Sequence, residues 1–234
     1  MKTVKGIPSV ITIDGPAASG KTTVGYEVAN YLSYLFLDTG CMYRAVTWAA
    51  IQRSVDPNDA VAISRLAETL DLKISPPTAD EPDLQYLVHV DGQDITQALR
   101  MPEVDANVSA VSAVAGVREA MVAAQRKIGF DGQVVMVGRD IGTVVMPDAP
   151  LKLYMTASAE ERARRRLTDR TEQGVESTYE EILADINRRD EIDSSREHSP
   201  LRPADDAIIV DTSEMDQQAA VCLVVDLIKQ MERP

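Results

Sequence analysis

The chain has 234 residues, of which 44% are hydrophobic, and it carries a formal net charge of −13. This length accommodates one sizeable α/β domain with room for a small insert. The acidic balance argues against a protein that binds nucleic acid, because phosphate backbones are held by an excess of Lys and Arg. Any phosphate chemistry therefore requires a local basic pocket within an acidic surface.

The same composition indicates the compartment. Cys41 and Cys222 are far apart and fit neither a CxxC nor a zinc-ligand spacing, so we expect unpaired thiols in a reducing environment. The first 14 residues lack the apolar core and cleavage site of a signal peptide, and no apolar run is long enough to span a membrane. The sequence predicts a cytoplasmic protein with no membrane segment.

Short apolar runs alternate with helical patterns along the chain, which is typical of a parallel sheet covered by helices on both faces. The predicted strands are Val10–Ile13, Leu35–Leu37, Val134–Val137, Leu151–Met155 and Ala207–Val210. The predicted helices are Lys21–Leu32, Met42–Arg53, Asn58–Leu70, Val117–Lys127, Ala159–Arg170, Tyr179–Asp190 and Glu214–Met231.

One segment interrupts this alternation. Leu72–Arg100 alternates apolar and polar residues, contains the turn signal Asp91-Gly92 and includes a Pro-rich loop over Ser75–Pro82. We interpret residues 58–105 as a small antiparallel insert on a core formed by residues 1–57 and 106–234. A second substrate site and a purely structural role for the insert are both compatible with the sequence.

A phosphate-binding loop follows the first predicted strand. Eight consecutive residues match G-x-x-x-x-G-K-[ST] at every position: Gly15, Pro16, Ala17, Ala18, Ser19, Gly20, Lys21 and Thr22. The glycines let backbone N–H groups point at phosphate oxygens, and the helix that follows adds the positive end of its dipole. Lys21 is expected to reach the β- and γ-phosphates, and the Thr22 hydroxyl is expected to bind Mg²⁺.

The loop identifies nucleotide binding but not the reaction. A switch GTPase also needs D-x-x-G and N-K-x-D motifs, and the chain contains neither of them. Three carboxylates, Asp14, Asp38 and Asp140, lie near carboxyl ends of predicted strands. The sequence leaves open which of the three supports Mg²⁺.

Arginines are concentrated in two helical stretches. Arg162 and Arg166 share one helix face, and Arg188 and Arg189 lie on the next predicted helix. A polar segment, Thr171–Thr178, joins the two helices, so residues 163–180 resemble a mobile lid over a triphosphate. We expect Arg162, Arg166 and Arg189 to bind phosphate through their planar guanidinium groups. Arg164 and Arg165 are instead expected to be solvated and to pair with neighbouring glutamates.

A second polar turn follows the second predicted strand. Asp38-Thr39-Gly40 lies at the carboxyl edge of the sheet, where ligands bind in this architecture. Tyr43 and Arg44 begin the next helix. Arg44 is therefore either a clamp for a second phosphate or part of an ordinary helix start.

Several segments together resemble the bacterial cytidylate kinases, which are P-loop nucleoside monophosphate kinases. The segments are ITIDGPAASGKTT, LDTGCMYRAV, VREAMVAAQR, VGRDIGTVVMPDAPLKLYMTAS, EERARRR and RRDEIDSSREHSPL, within residues 10–212. The resemblance implies a kinase-like α/β fold with a five-stranded parallel sheet flanked by helices, a small insert that binds the monophosphate and an Arg-rich lid. It also implies transfer of the γ-phosphoryl group of ATP to CMP or dCMP, Mg²⁺ dependence, a cytoplasmic location and a monomer.

The resemblance further implies which residues bind each substrate. Gly15 to Thr23 would hold ATP. The monophosphate would be surrounded by Thr39, Tyr43, Arg44, Ser109, Arg118, Arg139, Asp140, Arg189, Asp193 and Arg196. Counting back from Arg118 favours Ser109 over Ser112 as the serine of the family pattern. Cys41 and Met146 depart from the usual residues, which are a small residue and Phe.

The resemblance also makes a chemical prediction about the base. Asp140 can accept a hydrogen bond from the cytosine amino group, while Arg118 or Ser109 can donate to N3 and O2. Two other classes of function stay open. One is a P-loop kinase for another acceptor, which would use Asp38 as a general base if the acceptor were a hydroxyl. The other is a nucleotide-binding regulator without transfer activity.

Overall fold

The computed structural model describes residues 7–78, 80–81, 84–172, 174–196 and 199–231. Its main sheet contains five parallel strands in the order β2-β6-β1-β7-β8. These strands are β1 (Val10–Asp14), β2 (Leu35–Asp38), β6 (Val134–Gly138), β7 (Leu151–Thr156) and β8 (Ile208–Asp211). The predicted parallel α/β fold is therefore confirmed.

Helices cover both faces of this sheet. One face packs on α1 (Lys21–Leu32) and α8 (Gln217–Met231) through a cluster that includes Val24, Val28 and Val224. The other face packs on α2 (Thr39–Gln52), α4 (Pro102–Ala113) and α5 (Ala115–Asp131). Burial of apolar strands on both faces explains why each strand is apolar at consecutive positions, rather than at alternate ones.

A second sheet is antiparallel and has the order β3-β4-β5. It is formed by β3 (Leu72–Ser75), β4 (Leu87–Val90) and β5 (Gln93–Asp94), and it follows α3 (Ala60–Thr69). The predicted turn joins β4 to β5, where Asp91 and Gly92 have φ angles of 51° and 82°. Two positive φ angles in succession give a hairpin turn whose twist matches that of the strands.

The small sheet and α3 share one hydrophobic cluster with α2 and α5, so this segment packs firmly on the larger part of the molecule. The division into a core of residues 1–57 and 106–234 and an insert of residues 58–105 stays a prediction. The predicted loop Ser75–Pro82 lies partly outside the described residues.

Two further helices belong to the Arg-rich region, namely α6 (Ala159–Glu172) and α7 (Tyr179–Ser195). Thr178 begins α7 with a capping box, in which its side chain accepts from the Glu181 amide and the Glu181 side chain accepts from the Thr178 amide. The apolar contacts between the two helices form a separate small cluster that includes Ala163, Ile182 and Ile186.

Four helix boundaries differ from the predicted ones by more than two residues at one end. The helix predicted from Met42 begins at Thr39, because the Asp38 side chain accepts from the Gly40 amide at 2.9 Å and caps it there. The helix predicted to end at Lys127 continues to Asp131, and the one predicted to end at Asp190 continues to Ser195. The helix predicted from Glu214 begins at Gln217. The sequence analysis missed α4 and a π-helical turn at Ile141–Val145.

Both cysteines are free, as expected, with Cys41 buried and Cys222 exposed. None of the helices in the described part of the chain combines the length and apolarity that a membrane span requires.

Candidate active site

The phosphate-binding loop joins β1 to α1 in the context that the motif requires. Gly20 precedes α1 with φ of 86°, a left-handed conformation that favours glycine. A Cβ atom on Gly15 would lie 2.0 Å from the Met155 carbonyl oxygen, so only glycine fits there. The predicted donor residues, Gly15 to Thr23, thus form one curled loop and the first turn of a helix.

Lys21 is buried inside this loop. Its Nζ atom donates to the Pro16 carbonyl at 2.8 Å. Burial lowers the pKa of Lys21 well below its usual value, and the positive charges of Arg139 and Arg189 lower it further. A buried ammonium group with two arginines nearby is a site that favours an anion.

A cavity of about 1030 Å³ opens beside the loop and extends toward α6 and the small sheet. The loop residues from Ala18 to Thr23 line it, together with Asp38 and Arg44 from the second strand and its helix. Arg166 of α6 also lines it. The predicted donor loop, one predicted acceptor arginine and one predicted lid arginine therefore share a single cavity.

Most of the predicted acceptor residues form a polar cluster of ion pairs at the carboxyl end of β6. Arg118 pairs with Asp140, and both side chains are only 6% exposed. The Arg118 guanidinium also lies over the Tyr43 ring, 5.4 Å from its centre. Thr39 is buried at the same edge and donates to the Val137 carbonyl at 2.9 Å. The structure thus brings these side chains together from β6, α2 and α5.

Asp193 joins this cluster from α7. Its carboxylate accepts from Arg139 Nε at 2.8 Å and also pairs with Arg196. Burial alone would raise the pKa of Asp193, but Arg139 and Arg196 outweigh it and hold the pKa below its usual value. The carboxylate is therefore ionised at neutral pH and fixes the two arginines.

Arg189 interacts electrostatically both with the ion-pair cluster, through Arg139 and Asp193, and with the cavity residues Arg44 and Arg166. Burial lowers its pKa to about 10, and the positive charges of Arg139, Arg44 and Arg166 lower it as well, while Asp193 raises it. Arginines that crowd in this way repel one another unless an anion lies among them. Four guanidinium groups that interact electrostatically in one region offer the donors that a phosphate requires.

Arg44 is held at the mouth of the cavity. It pairs with Asp105 of α4 at 2.6 Å and donates to the Leu99 carbonyl at 3.0 Å. The two serines of α4 differ in their surroundings. Ser112 is buried and accepts from Arg196 at 3.4 Å, whereas Ser109 is half-buried and its carbonyl accepts from the Ser112 hydroxyl.

The arginines of α6 differ in their surroundings. Arg162 is buried, forms two hydrogen bonds with Asp190 and donates to the Ala17 carbonyl in the phosphate loop at 3.2 Å. Arg164 is exposed and pairs with Glu161, as expected. Arg165 also pairs with Glu161, but in addition it lines the cavity and donates to Thr212.

Sequence reasoning missed several residues that shape this site. Arg165 was expected to be solvated. Its contact with Thr212 joins residues 47 positions apart, so no local sequence pattern reveals it. Asp105 and Asp190 each pair with a predicted arginine across helices whose packing the sequence does not reveal. Asp190 directly follows Arg189, but no local pattern indicates its partner.

The family model for cytidylate kinase matches residues 11–230. The chain belongs to this family. The resemblance noted from the sequence is thereby confirmed. Two cytidylate kinases match it over nearly their whole length. That of Bacillus velezensis is 42% identical, with 95% of this chain and 97% of the relative covered. That of Enterococcus faecalis is 46% identical, with 94% and 95% covered.

A longer relative matches as well. The bifunctional pantoate ligase/cytidylate kinase of Synechococcus sp. (strain JA-3-3Ab) is 48% identical over 97% of this chain. This chain spans 42% of the length of that relative. The family therefore includes proteins in which a kinase of this kind is part of a larger chain.

Proposed function

We propose that the chain is a nucleoside monophosphate kinase that transfers the γ-phosphoryl group of ATP to CMP or dCMP, giving CDP or dCDP in pyrimidine nucleotide metabolism. The observation that carries this proposal is the cavity shared by the phosphate loop, Arg44 and Arg166, together with the buried Arg118–Asp140 pair, whose Arg118 lies over the ring of Tyr43, the residue before Arg44. Membership of the cytidylate kinase family supports the same reaction.

At the donor end, Gly15 to Thr23 would hold the ATP phosphates, and Lys21 would stay in contact with the phosphoryl group during its transfer. Thr22 and Asp38 both line the cavity and offer oxygen ligands that fit Mg²⁺. Asp14 and Asp140 fit less well, because their carboxylates already bind Ile141 and Gly142 amides and Arg118, respectively. A bound Mg²⁺ would neutralise charge on the β- and γ-phosphates.

At the acceptor end, Arg44, Arg139 and Arg189 would hold the phosphate of CMP. Tyr43, Arg118 and Asp140 would surround the base, with Ser109 or its neighbour Ser112. Asp193 would accept hydrogen bonds from the ribose hydroxyls. Thr39 and Arg196 would line the rest of the monophosphate site. Ion pairs among Arg118, Asp140, Arg139, Asp193 and Arg196 hold these five side chains in place, which lowers the cost of ordering them on binding.

The pair of Arg118 and Asp140 explains discrimination between bases. Asp140 would accept from the cytosine amino group, while Arg118 would donate to N3 or O2. Uracil has a carbonyl at C4 and an N–H at N3. Its C4 carbonyl would therefore face the Asp140 carboxylate, and its N3–H would face the Arg118 donor. Each mispaired buried group costs about 1–3 kcal/mol, which is sufficient for ten- to hundredfold discrimination.

No general base is required, because the acceptor is a phosphate oxygen that is already anionic. The residues instead align the two substrates and stabilise the charge that moves between them. Lys21 and the arginines Arg162, Arg166, Arg139 and Arg189 are the proposed catalytic residues. Closure of residues 163–180 over the cavity would exclude water, which competes as an acceptor.

The remaining expectations belong to the same proposal. Residues 58–105 would be the lobe that binds the monophosphate, since Arg44 reaches the Leu99 carbonyl of that segment. We propose a cytoplasmic protein without nucleic-acid partners, on the basis of the acidic net charge of −13 and the two free cysteines. We also propose a monomer, as the resemblance to the cytidylate kinases implies.

The proposal is tested by a coupled assay of ADP formation with ATP-Mg²⁺ and a panel of CMP, dCMP, UMP, AMP and dTMP. We expect CMP and dCMP to be phosphorylated at least tenfold more efficiently than the other three. Preference for another member of the panel would reassign the acceptor. No product from any of them would favour a regulator or an acceptor that is not a nucleotide.

A further inference from the structure

Asp14, the last residue of β1, is buried and immediately precedes the phosphate loop. Its side chain does not point into the cavity that the loop lines. Instead, Oδ1 accepts from the Ile141 amide at 2.8 Å and Oδ2 accepts from the Gly142 amide at 2.7 Å. One carboxylate therefore binds two consecutive backbone amides of a segment 127 and 128 residues away.

These two amides begin the π-helical turn Ile141–Val145, directly after Arg139 and Asp140. The amides of a helical first turn have no partner within the turn, so a buried one needs an acceptor from elsewhere. Asp14 supplies one carboxylate oxygen as the acceptor for each of the two amides. The path of the backbone at Asp140 is thus fixed by a side chain of the donor loop's own strand.

A third contact joins the same two segments. Arg139 Nη1 donates to the carbonyl of Gly15, the residue after Asp14, at 3.0 Å. Because Arg139 and Asp140 are proposed to bind the phosphate and the base of the acceptor, these three hydrogen bonds connect the acceptor loop to the donor loop. The connection uses adjacent residues on both sides, and therefore leaves little freedom for one loop to shift against the other.

The surroundings of Asp14 indicate that the contact is not simply stabilising. Burial raises the pKa of Asp14 to about 6, even though the Gly142 and Ile141 hydrogen bonds lower it. An ionised carboxylate at this position therefore costs folding energy at neutral pH. A group that is costly to bury and makes no contact within the cavity is expected to serve alignment rather than stability.

We propose that Asp14 is a positioning residue that sets the distance and angle between the phosphate loop and the acceptor loop at Arg139 and Asp140. This inference rests on the proposed function. Its effect should be larger on the acceptor than on ATP, because both hydrogen bonds of the Asp14 carboxylate go to the acceptor loop, whereas its interaction with Lys21 of the donor loop is a weaker electrostatic one.

The test is Asp14→Asn. The amide keeps one acceptor oxygen but turns an N–H₂ group toward a second N–H donor, so one hydrogen bond is lost and one amide is left buried without a partner. Loss of a hydrogen bond to a charged group is worth on the order of ten- to hundredfold. We expect KM for CMP to rise by that factor, KM for ATP to stay within about threefold, and the preference for CMP over UMP to fall.

Thr12→Val is the matched control. Thr12 lies two residues earlier on the same strand, is fully buried, and has a hydroxyl without a hydrogen-bond partner among the described residues. The substitution replaces the hydroxyl with a methyl group of similar size next to Gly142 and leaves both Asp14 hydrogen bonds in place, so both KM values should change by less than about threefold. It reports the effect of altering this strand beside the acceptor loop without removing the two Asp14 hydrogen bonds.

Gly142→Ala disturbs the same contact from the other side and serves if Asp14→Asn does not fold. A Cβ atom at Gly142 would lie 3.0 Å from Thr12 Oγ1 and 3.3 Å from Asp14 Oδ2, so the loop must shift slightly. We expect the same selective rise in KM for CMP, and its absence in both folded variants would overturn the inference.

The possible outcomes separate the two proposals. A wild-type protein that phosphorylates CMP, with Asp14→Asn changing both KM values equally or neither of them, overturns the positioning role alone. A wild-type protein that forms no CDP overturns the proposed function itself. A selective loss of CMP binding together with normal turnover in Thr12→Val supports the inference.

Discussion

The buried pair of Arg118 and Asp140 gives the sharpest prediction about stability and function together. Arg118→Met keeps most of the side-chain volume and removes the charge. Asp140 then stays buried without its partner, since both side chains are only 6% exposed. Breaking a buried ion pair in this way costs about 3–5 kcal/mol of unfolding free energy. The Arg118 contact with the Tyr43 ring is lost as well.

A double-mutant cycle with Asp140→Asn measures the interaction energy between Arg118 and Asp140. The double variant has no unpaired charge, so it should be more stable than the sum of the single losses predicts, by about 2 kcal/mol or more. Urea unfolding followed by circular dichroism measures each variant. Arg53→Met is the control, because Arg53 pairs with Asp91 on the surface and should lose no more than about 1 kcal/mol.

The functional half of this prediction uses the same proteins. Each single variant should raise KM for CMP at least tenfold, while its affinity for ATP changes by less than about threefold. If the two single losses of unfolding free energy add up to the loss of the double variant within about 0.5 kcal/mol, the two side chains are not coupled. Equal losses of CMP and ATP binding would refute the assignment of the pair to the base.

Three further predictions follow from individual contacts. Lys21→Ala should lower kcat by at least a hundredfold, because the charge that stabilises the transferred phosphoryl group is removed. The loss of stability should be small, because burial lowers the pKa of Lys21 and so makes its charged form costly to bury. Near-normal turnover would contradict the mechanism. Asp105→Asn should lower KM for CMP by about two- to fivefold, because Asp105 competes with the phosphate for Arg44; Glu103→Gln, on the same helix turn, is the control. A folded-state pKa of about 6 at Asp14 means that stability is lost as pH rises. Between pH 5 and pH 7.5 the wild type should lose about 1–2 kcal/mol relative to Asp14→Asn, and a constant difference would disprove the raised pKa.

The sequence predicted the parallel sheet well because its strands are apolar on both faces and the loop after β1 has a distinctive motif. It did not predict α4, although Pro102 followed by Glu103 and Asp105 is a typical helix start. The valines, the serines and Asn107 of that helix have low helix propensity and weaken the helical signal. The π-helical turn at Ile141–Val145 was beyond prediction, because its amides depend on Asp14 across 127 residues.

The candidate site shows the same limit. Motifs located Lys21 and the proposed acceptor arginines, because those residues belong to compact segments of the chain. The carboxylates that hold these arginines, such as Asp105 and Asp190, follow from packing between helices. Arg165 was expected to be solvated for the same reason, and its contact with Thr212 appears only in the folded chain.

The most direct test of the central claim is the ratio of kcat/KM for CMP to kcat/KM for UMP, measured with saturating ATP-Mg²⁺ for the wild type and for Asp140→Asn. We predict a ratio of at least about ten for the wild type, which falls toward one when the carboxylate becomes an amide that can also donate. A wild-type ratio near one, or a high ratio that Asp140→Asn leaves unchanged, would contradict the claim that this buried pair selects cytosine.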